Sequence, residues 1–367
     1  MRGWREYRFS DFVEISPSVT LKPGAICSFV EMADLKDGNK FCEPSTVRPF
    51  NSSGTRFQER DTLFARITPC LENGKICQVR NLLDSKGFGS TEFHVFRGRE
   101  GISDTDFVYY LSRWSDVRDF AEANFHGTSG RQRVPRESFD NLFLNLPDYN
   151  EQQAIAGVLS SLDDKIDLLH RQNKTLEGIA EALWRKMFVE EADPEWKRGK
   201  LEDIASFSNG KSRPEEVFNG TIPIYGGNGI LGYTNHSNAE GESIVIGRVG
   251  AYCGSLYIEN RPIWITDNAL LAKPIKTDFS KYLLYLLKSL DLNSMAEGSS
   301  HPLLTQTLLN SIEIDIPHEN NIFLFDSRSI KWLAKIDFNK DHIQTLSALR
   351  NLILPKLVKG EVRVSYE

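Results

Sequence analysis

The stretch Glu151–Phe188, EQQAIAGVLSSLDDKIDLLHRQNKTLEGIAEALWRKMF, places apolar residues at Ile155, Leu159, Leu162, Ile166, Leu169, Leu176, Ala180, Leu183 and Met187, with Asn173 at a polar seam position. Steps of four and three alternate, which is the heptad seam of an α-helix packed on another helix. No proline interrupts it before Pro194. A helix of about 40 residues is about 60 Å long, well beyond the usual three or four turns, and needs an equally long partner. The chain supplies one: Phe325, Trp332, Ile336, Ile343, Leu346, Ile353 and Leu357 fall in the matching frame, with Asn339 at a further seam position and Pro355 near the end. Because a globular region separates the two helices, an antiparallel pair is the simplest closure. Asn173 and Asn339 either fix the register of that pair or are solvated.

On both sides of this helix the chain repeats itself. Trp4-Arg5-Glu6-Tyr7-Arg8-Phe9-Ser10-Asp11-Phe12 matches Trp196-Lys197-Arg198-Gly199-Lys200-Leu201-Glu202-Asp203-Ile204 at an offset of 192. Leu142-x-Leu144-x-Leu146-Pro147 matches Ile312-x-Ile314-x-Ile316-Pro317 at an offset of 170, as Lys165-Ile166-Asp167 matches Lys335-Ile336-Asp337 and Thr175-Leu176 matches Thr345-Leu346. The 22 residues separating the two offsets belong to the globular parts. Each half holds short β-like runs (Thr62-Leu63-Phe64-Ala65, Ser243-Ile244-Val245-Ile246), Gly/Pro/Asn turns, an alternating strand closed by proline, and a long helix. The expected architecture is α+β (mixed α/β). Two homologous globular domains, 1–148 and 194–317, are joined by two long antiparallel coiled-coil helices, 149–193 and 318–358, with pseudo-two-fold symmetry and a C-terminal tail at 359–367.

The 367 residues carry 44 Lys plus Arg against 50 Asp plus Glu, a net charge of −6, and 40% are hydrophobic, the profile of an ordinary globular protein. The densest apolar run, Tyr282–Leu287, is bounded by Lys281 and Lys288, far short of the roughly 20 residues of a membrane span; no membrane partner is expected. The charged start, Met1 to Arg8, leads into no apolar core of a secretory signal, so the cytoplasm is the expected compartment. Cys27, Cys42, Cys70, Cys77 and Cys253 form no C-x-x-C pair and read as reduced thiols. Residues 1–147 are neutral, whereas 148–195 carry −6. The acidity thus belongs to the first long helix, and a basic face on a domain stays open.

Several catalytic signatures fail on inspection. Gly227-Asn228-Gly229-Ile230-Leu231-Gly232 fits G-x-G-x-x-G, but no helical period follows, as a dinucleotide site requires. Gly210-Lys211-Ser212 ends like a P-loop, yet Ala205 stands where the first glycine belongs. The histidines have no metal-binding spacing, and neither an Asn/Asp-Pro-Pro-aromatic motif nor a nuclease P-D…(D/E)-x-K emerges. No catalytic residue, metal or cofactor is expected on this chain, and a recognition component is favoured over an enzyme. What remains are loops suited to a polar polymer. Gly127–Arg136 sets two hydroxyls, Thr128 and Ser129, and three arginines, Arg131, Arg133 and Arg136, beside Gln132 among flexible glycines, the mix that contacts phosphates and reads base edges; a solvated turn is the plain alternative. Gly298-Ser299-Ser300-His301-Pro302 is its counterpart. Arg66 and Arg248 each follow an apolar strand. Asn73-Gly74-Lys75 adds an amide and a cation, and Lys211, Arg213, Tyr225 and Asn228 supply the same chemistry in the second half. Paired readers at a fixed separation suit a split target on double-stranded DNA, whose turn repeats about every 34–36 Å.

The duplicated layout, Asp61-Thr62-Leu63-Phe64-Ala65-Arg66-Ile67-Thr68-Pro69-Cys70-Leu71-Glu72-Asn73-Gly74-Lys75, the Gly127–Arg133 loop, and Glu151-Gln152-Gln153-Ala154-Ile155-Ala156 running into Leu162-Asp163-Asp164-Lys165-Ile166 resemble the specificity (S) subunits of type I restriction-modification systems over almost the whole chain. Two departures stand out: Arg60 occupies the place of a common glycine, and the second helix begins Pro317-His318-Glu319-Asn320-Asn321-Ile322 in place of Pro-x-x-Glu-Gln-x-x-Ile. The resemblance implies that each globular region is a target-recognition domain reading one half of an asymmetric bipartite DNA site, with the helices setting the unread gap. It also implies a non-catalytic subunit. Two modification (M) subunits would dock on it with S-adenosylmethionine and flip an adenine for N6 methylation, and restriction (R) subunits would bring ATP and Mg. An acidic first helix suits a protein partner better than phosphates. A coiled-coil scaffold without DNA readout, and an enzyme using the segment near Gly227, are the alternatives from other classes.

Overall fold

The computed structural model describes residues 3–128, 130–217, 219–298 and 302–364. The chain divides into two compact units, Met1–Gln172 with Phe338–Glu367, and Asn173–Asp337. In the first, strand Arg5–Arg8 pairs antiparallel with Phe143–Leu146, Arg5 opposite Leu146. The central sheet runs in the order Val13–Ile15, Phe93–Gly98, Thr62–Ala65, Ile76–Val79, Phe41–Cys42. Thr62, Leu63, Phe64 and Ala65 are all buried, as expected for an uninterrupted apolar run in mid-sheet. A second sheet holds Thr46–Pro49, Ile26–Val30, Lys86–Gly89 and Thr55–Gln58. Helix Thr105–Arg113 starts where the Asp104 side chain accepts the Phe107 N–H, an N-cap that satisfies an otherwise orphaned donor.

The second unit repeats this plan. Lys197–Lys200 pairs with Glu313–Ile316, Lys197 opposite Ile316, which is the first ribbon displaced by the two offsets read in the sequence. Its sheet runs Ala205–Asn209, Ala269–Pro274, Ser243–Gly247, Leu256–Glu259, and Ser280–Ser289 stands for Thr105–Arg113. Matched strand pairs locate the missing residues. The offset falls from 192 at Ile15 and Phe207 to 182 at Ala65 and Gly247, then to 176 at Phe93 and Ala269. It reaches 170 at Arg133 and Leu303, each bridged to the residue after the equivalent arginine. The 22-residue difference is therefore spread over three connections, and the shared sheet keeps its register.

The long helices span Tyr149–Arg185, continued by a wider π-turn at Lys186–Glu190, and Glu319–Val358. Within the first unit they are antiparallel: Asp163 meets Arg350 at 2.5 Å, and Asn339 Nδ2 donates to Gln172 Oε1 at 2.8 Å. Asn173 and Asn339 are both buried, so neither is a solvated surface residue. Ile155, Leu159, Ile166, Leu169, Ile336 and Leu357 are buried as the seam predicts. Others depart from it. Leu162, Leu176, Leu183, Met187, Trp332, Ile343, Leu346 and Ile353 are only half-buried, whereas Asp163, Trp184, Phe188, Leu333, Arg350 and Leu354 are buried. The buried positions 173, 180, 184 and 188 advance by four at the end; a straight helix of 3.6 residues per turn drifts away from a 3.5-residue seam, and the globular parts cover the flank it turns towards.

Both sequence departures have structural counterparts. Arg60 adopts φ +69°, the left-handed conformation a glycine would take without strain, and its guanidinium donates to Asp106 Oδ2 at 2.8 Å. At the first helix entry, Trp4 Nε1 donates to Glu151 Oε2 at 2.8 Å and Gln152 Oε1 accepts the Asp104 N–H at 2.9 Å. Asn321 and Ile322 stand at those positions in the second copy. Ile322 is accordingly apolar core, and Trp196 Nε1 is buried without a hydrogen-bond partner among the described residues. No helix of the described residues is long and apolar enough to cross a membrane.

Candidate nucleic-acid interface

The Asp61–Lys75 stretch and the Gly127–Arg136 loop, far apart in sequence, form one structure. Arg66 leaves its buried strand with its N–H on the Glu92 carbonyl at 2.9 Å, while its own carbonyl accepts the Val134 N–H at 2.9 Å. Thr68 N–H donates to the Gln132 carbonyl at 3.0 Å, and the Gln132 N–H returns to Thr68 Oγ1 at 3.0 Å. His126 and Arg133 close the loop base with a pair of backbone bonds, each 2.9 Å. Gly127 and Gly130, at φ +120° and +80°, take conformations that side chains disfavour, which is why the loop carries glycine there. The turn holds Thr128 and Arg131 exposed.

The same frame recurs in the second unit. Arg248 N–H donates to the Asn268 carbonyl at 3.0 Å, and the Arg248 carbonyl accepts the Leu304 N–H at 2.9 Å. Glu297 and Leu303 close the loop base as His126 and Arg133 do. Ser129 and His301 lie outside the described residues. The glycines of the rejected nucleotide motifs serve packing and turns: a Cβ on Gly210 would meet the Thr266 carbonyl oxygen at 2.0 Å, and Gly226 to Gly229 is the tight end of the hairpin pairing Ile222–Gly226 with Gly229–Thr234.

Not every candidate side chain is available. Arg133 lies in a forked ion pair with Glu92, Nε to Oε2 at 2.9 Å and Nη2 to Oε1 at 2.7 Å, which holds the Glu92 carboxyl below its ordinary range. Lys75 Nζ donates to the Met32 carbonyl at 2.8 Å. Arg213 is bound to Glu216 and to the Leu231 carbonyl, and Arg248 Nε donates to the Leu304 carbonyl at 3.2 Å. Tyr225 is a core residue, buried, with its hydroxyl on Glu259 Oε2 at 3.3 Å; its strand is buried from Pro223 to Gly226, and it offers DNA no surface. Asn73 and Asn228 are exposed on turns, and Lys211 is exposed where the chain bridges to Thr266, its backbone N–H on the Ile265 carbonyl at 2.9 Å. Sequence reading missed Glu92 and Arg56 and read Arg136 only as the third arginine of its loop; long-range pairing brings all three beside Arg66 and Arg133, and no local spacing signals that convergence. Among the described residues, no group of three His, Cys, Asp or Glu side chains is placed to hold a metal.

The model of the type I restriction modification DNA specificity domain matches residues 52–178 and 194–353, one match for each repeat. The chain belongs to this family. The HindI specificity subunit of Haemophilus influenzae is 29% identical over 228 residues, covering 61% of this chain and 49% of that protein. The EcoEI specificity subunit of Escherichia coli is 27% identical over 208 residues, 53% of this chain and 35% of the relative. The chain thus spans about half the length of the first of these relatives and about a third of the second. The crystal structure of the type I restriction-modification S subunit from M. genitalium has the same fold: TM-score 0.60, 18% identity, covering 97% of this chain and 96% of that one. The duplicated specificity-domain fold accounts for the strand-for-strand equivalence of Arg66 with Arg248.

Proposed function

We propose that this chain is the DNA-specificity subunit of a type I restriction-modification complex, non-catalytic itself, in which each repeat reads one half of an asymmetric bipartite site on double-stranded DNA. The observation that carries this is the recurrence, in both units, of a buried strand ending in arginine laced to a glycine-bearing loop. Membership of a family whose domain is described as a DNA specificity domain supports it. Two modification subunits, bringing S-adenosylmethionine, would be held against the helices and domains, and restriction subunits, bringing ATP and Mg, would complete the assembly in the cytoplasm. The exposed apolar residues Leu168 and Ile179 on the acidic first helix and Phe323 and Ile330 on the second suit protein partners.

The test is co-expression with the neighbouring modification subunit in a methylation-free host, with N6-methyladenine mapped genome-wide by single-molecule sequencing. The expected result is a two-part motif with a fixed gap, present only with both chains. Arg131→Ala, at the exposed tip of the loop, should relax one half alone, since a bidentate base contact is worth about 1–3 kcal/mol; equal loss at both halves would contradict split reading. A soluble complex that methylates without a motif would favour the scaffold reading.

A further inference from the structure

A polar cleft of about 390 Å³ opens in the first unit beside Arg66. Arg56 reaches it from strand Thr55–Gln58 and Arg136 from the turn Arg136–Asn141. Other arginines of this unit are matched to carboxylates: Arg60 to Asp106, Arg80 to Asp167, Arg97 to Asp61 and Arg133 to Glu92. Among the described residues, no carboxylate comes within ion-pair distance of Arg56, Arg66 or Arg136. Arg66 Nε is buried with no hydrogen-bond partner among the described residues, which costs free energy. Glu92, the carboxylate near Arg66, is occupied by Arg133, and exposed Glu137 stands near His94. His94 is itself neutral at pH 7, its pKa lowered to about 4 by burial, with Nε2 on the Val134 carbonyl at 2.9 Å. Hydroxyls of Ser16, Ser18 and Thr55 complete the wall, and its one phenyl ring, Phe93, is 3% exposed and offers no face for stacking.

Three guanidinium groups without an ion-paired carboxylate, that of Arg56 lying over the buried Phe50 ring at 5.0 Å, stand among hydroxyl-bearing residues with no exposed aromatic face, and fit a singly charged tetrahedral anion better than the flat edge of a base. We propose that this cleft is a phosphodiester site, where Arg56, Arg66 and Arg136 hold one backbone phosphate of the half-site facing the first unit. The assignment rests on the DNA-reading role proposed above. It positions the duplex and carries no sequence information. Among its described residues the second unit does not repeat the arrangement: Arg248 Nε is used on the Leu304 carbonyl, and Gln306 stands at the position equivalent to Arg136.

Arg56 and Arg136 are exposed, so Arg56→Gln with Arg136→Gln leaves the fold intact. Binding of the chain in complex with its modification subunit is measured on cognate and scrambled duplexes from 50 to 200 mM salt. The variant is expected to lose affinity for both duplexes by the same factor, with a salt slope shallower by about 0.9, which makes its loss over that salt range about threefold to fourfold smaller than the wild type's. The methylated motif stays the same. An unchanged slope, or an altered base preference at one half-site, overturns the assignment. A second arm measures thermal stabilisation of the full chain by inorganic phosphate against chloride at equal ionic strength. A phosphate-specific shift lost in the variant, with the DNA slope unchanged, assigns the cleft to a free anion and overturns the backbone reading. Failure of the underlying role is distinguishable, because it shows as an absence of sequence-specific binding by the wild-type complex, before any variant is compared.

Discussion

Asp163 and Arg350 form an ion pair inside the helix seam, their side chains 1% and 3% exposed. Asp163 Oδ1 accepts from Arg350 at 2.5 Å and Oδ2 from the Tyr110 hydroxyl at 2.8 Å, while Arg350 also donates to the Gly38 carbonyl at 2.8 Å. Asp163→Ala would strand a guanidinium that keeps its Gly38 and Asn351 partners but has no counter-charge. Arg350→Met would strand a carboxylate with one hydroxyl donor. Each should cost about 3–5 kcal/mol, because desolvation is retained and attraction lost. Asp163→Leu combined with Arg350→Met removes both charges, and what remains is a Tyr110 hydroxyl that still reaches Ser160 Oγ at 3.4 Å and a half-buried Gly38 carbonyl that loses its donor, a loss of about 1–2 kcal/mol. The double variant is therefore expected to be more stable than either single one. Guanidinium unfolding followed by circular dichroism, with hydrogen exchange across 149–172 to localise the loss, measures this. Single variants within about 1 kcal/mol of wild type, or a double variant as costly as the two singles together, would refute the reasoning.

Three further outcomes are expected. Phe188 packs on Tyr282 and Phe325, with ring centroids 4.8 and 5.6 Å away, so Phe188→Ala should cost about 3–5 kcal/mol and Met187→Ala about 1 kcal/mol in the same unfolding assay; the reverse order would restore the strict heptad seam. Burial lowers the His94 pKa from 6.5 to about 4. This depressed base contributes stability that is fully present above pH 6.5 and lost as pH falls through 4, about 3 kcal/mol in all. A stability profile of His94→Gln that declines over this window as steeply as the wild type's would contradict the assignment. Glu92→Gln should release Arg133 for DNA, steepening the salt dependence of binding by about 0.9 per added phosphate contact; an unaltered slope in a filter-binding titration would show Arg133 to be structural only.

The repeat, its two offsets and the existence of two long helices were legible in the sequence, because strand alternation and helical periodicity are local properties of the chain. That Lys197 pairs with Ile316 as Arg5 pairs with Leu146 agrees with the matched anchors, although the pairing itself joins residues far apart and was not read from them. The glycine-bearing loop was legible for the same reason, since left-handed backbone at Gly127 and Gly130 is a one-residue demand. Local pattern fails where an environment is shared. Asp163 lies outside the apolar seam read through Leu162, yet Tyr110 and Arg350 hold it as the buried residue while Leu162 is half-buried. Tyr225 read as a contact residue and lies in a core, and Arg133 read as a free cation and is bound to Glu92. The cleft that gathers Arg56, Arg66 and Arg136 exists only after two sheets and a turn have paired. Periodicity tells which face of an element is apolar. Which charges find partners, and which are left to meet a ligand, depends on distances between residues far apart in the chain, and those are set by tertiary packing alone.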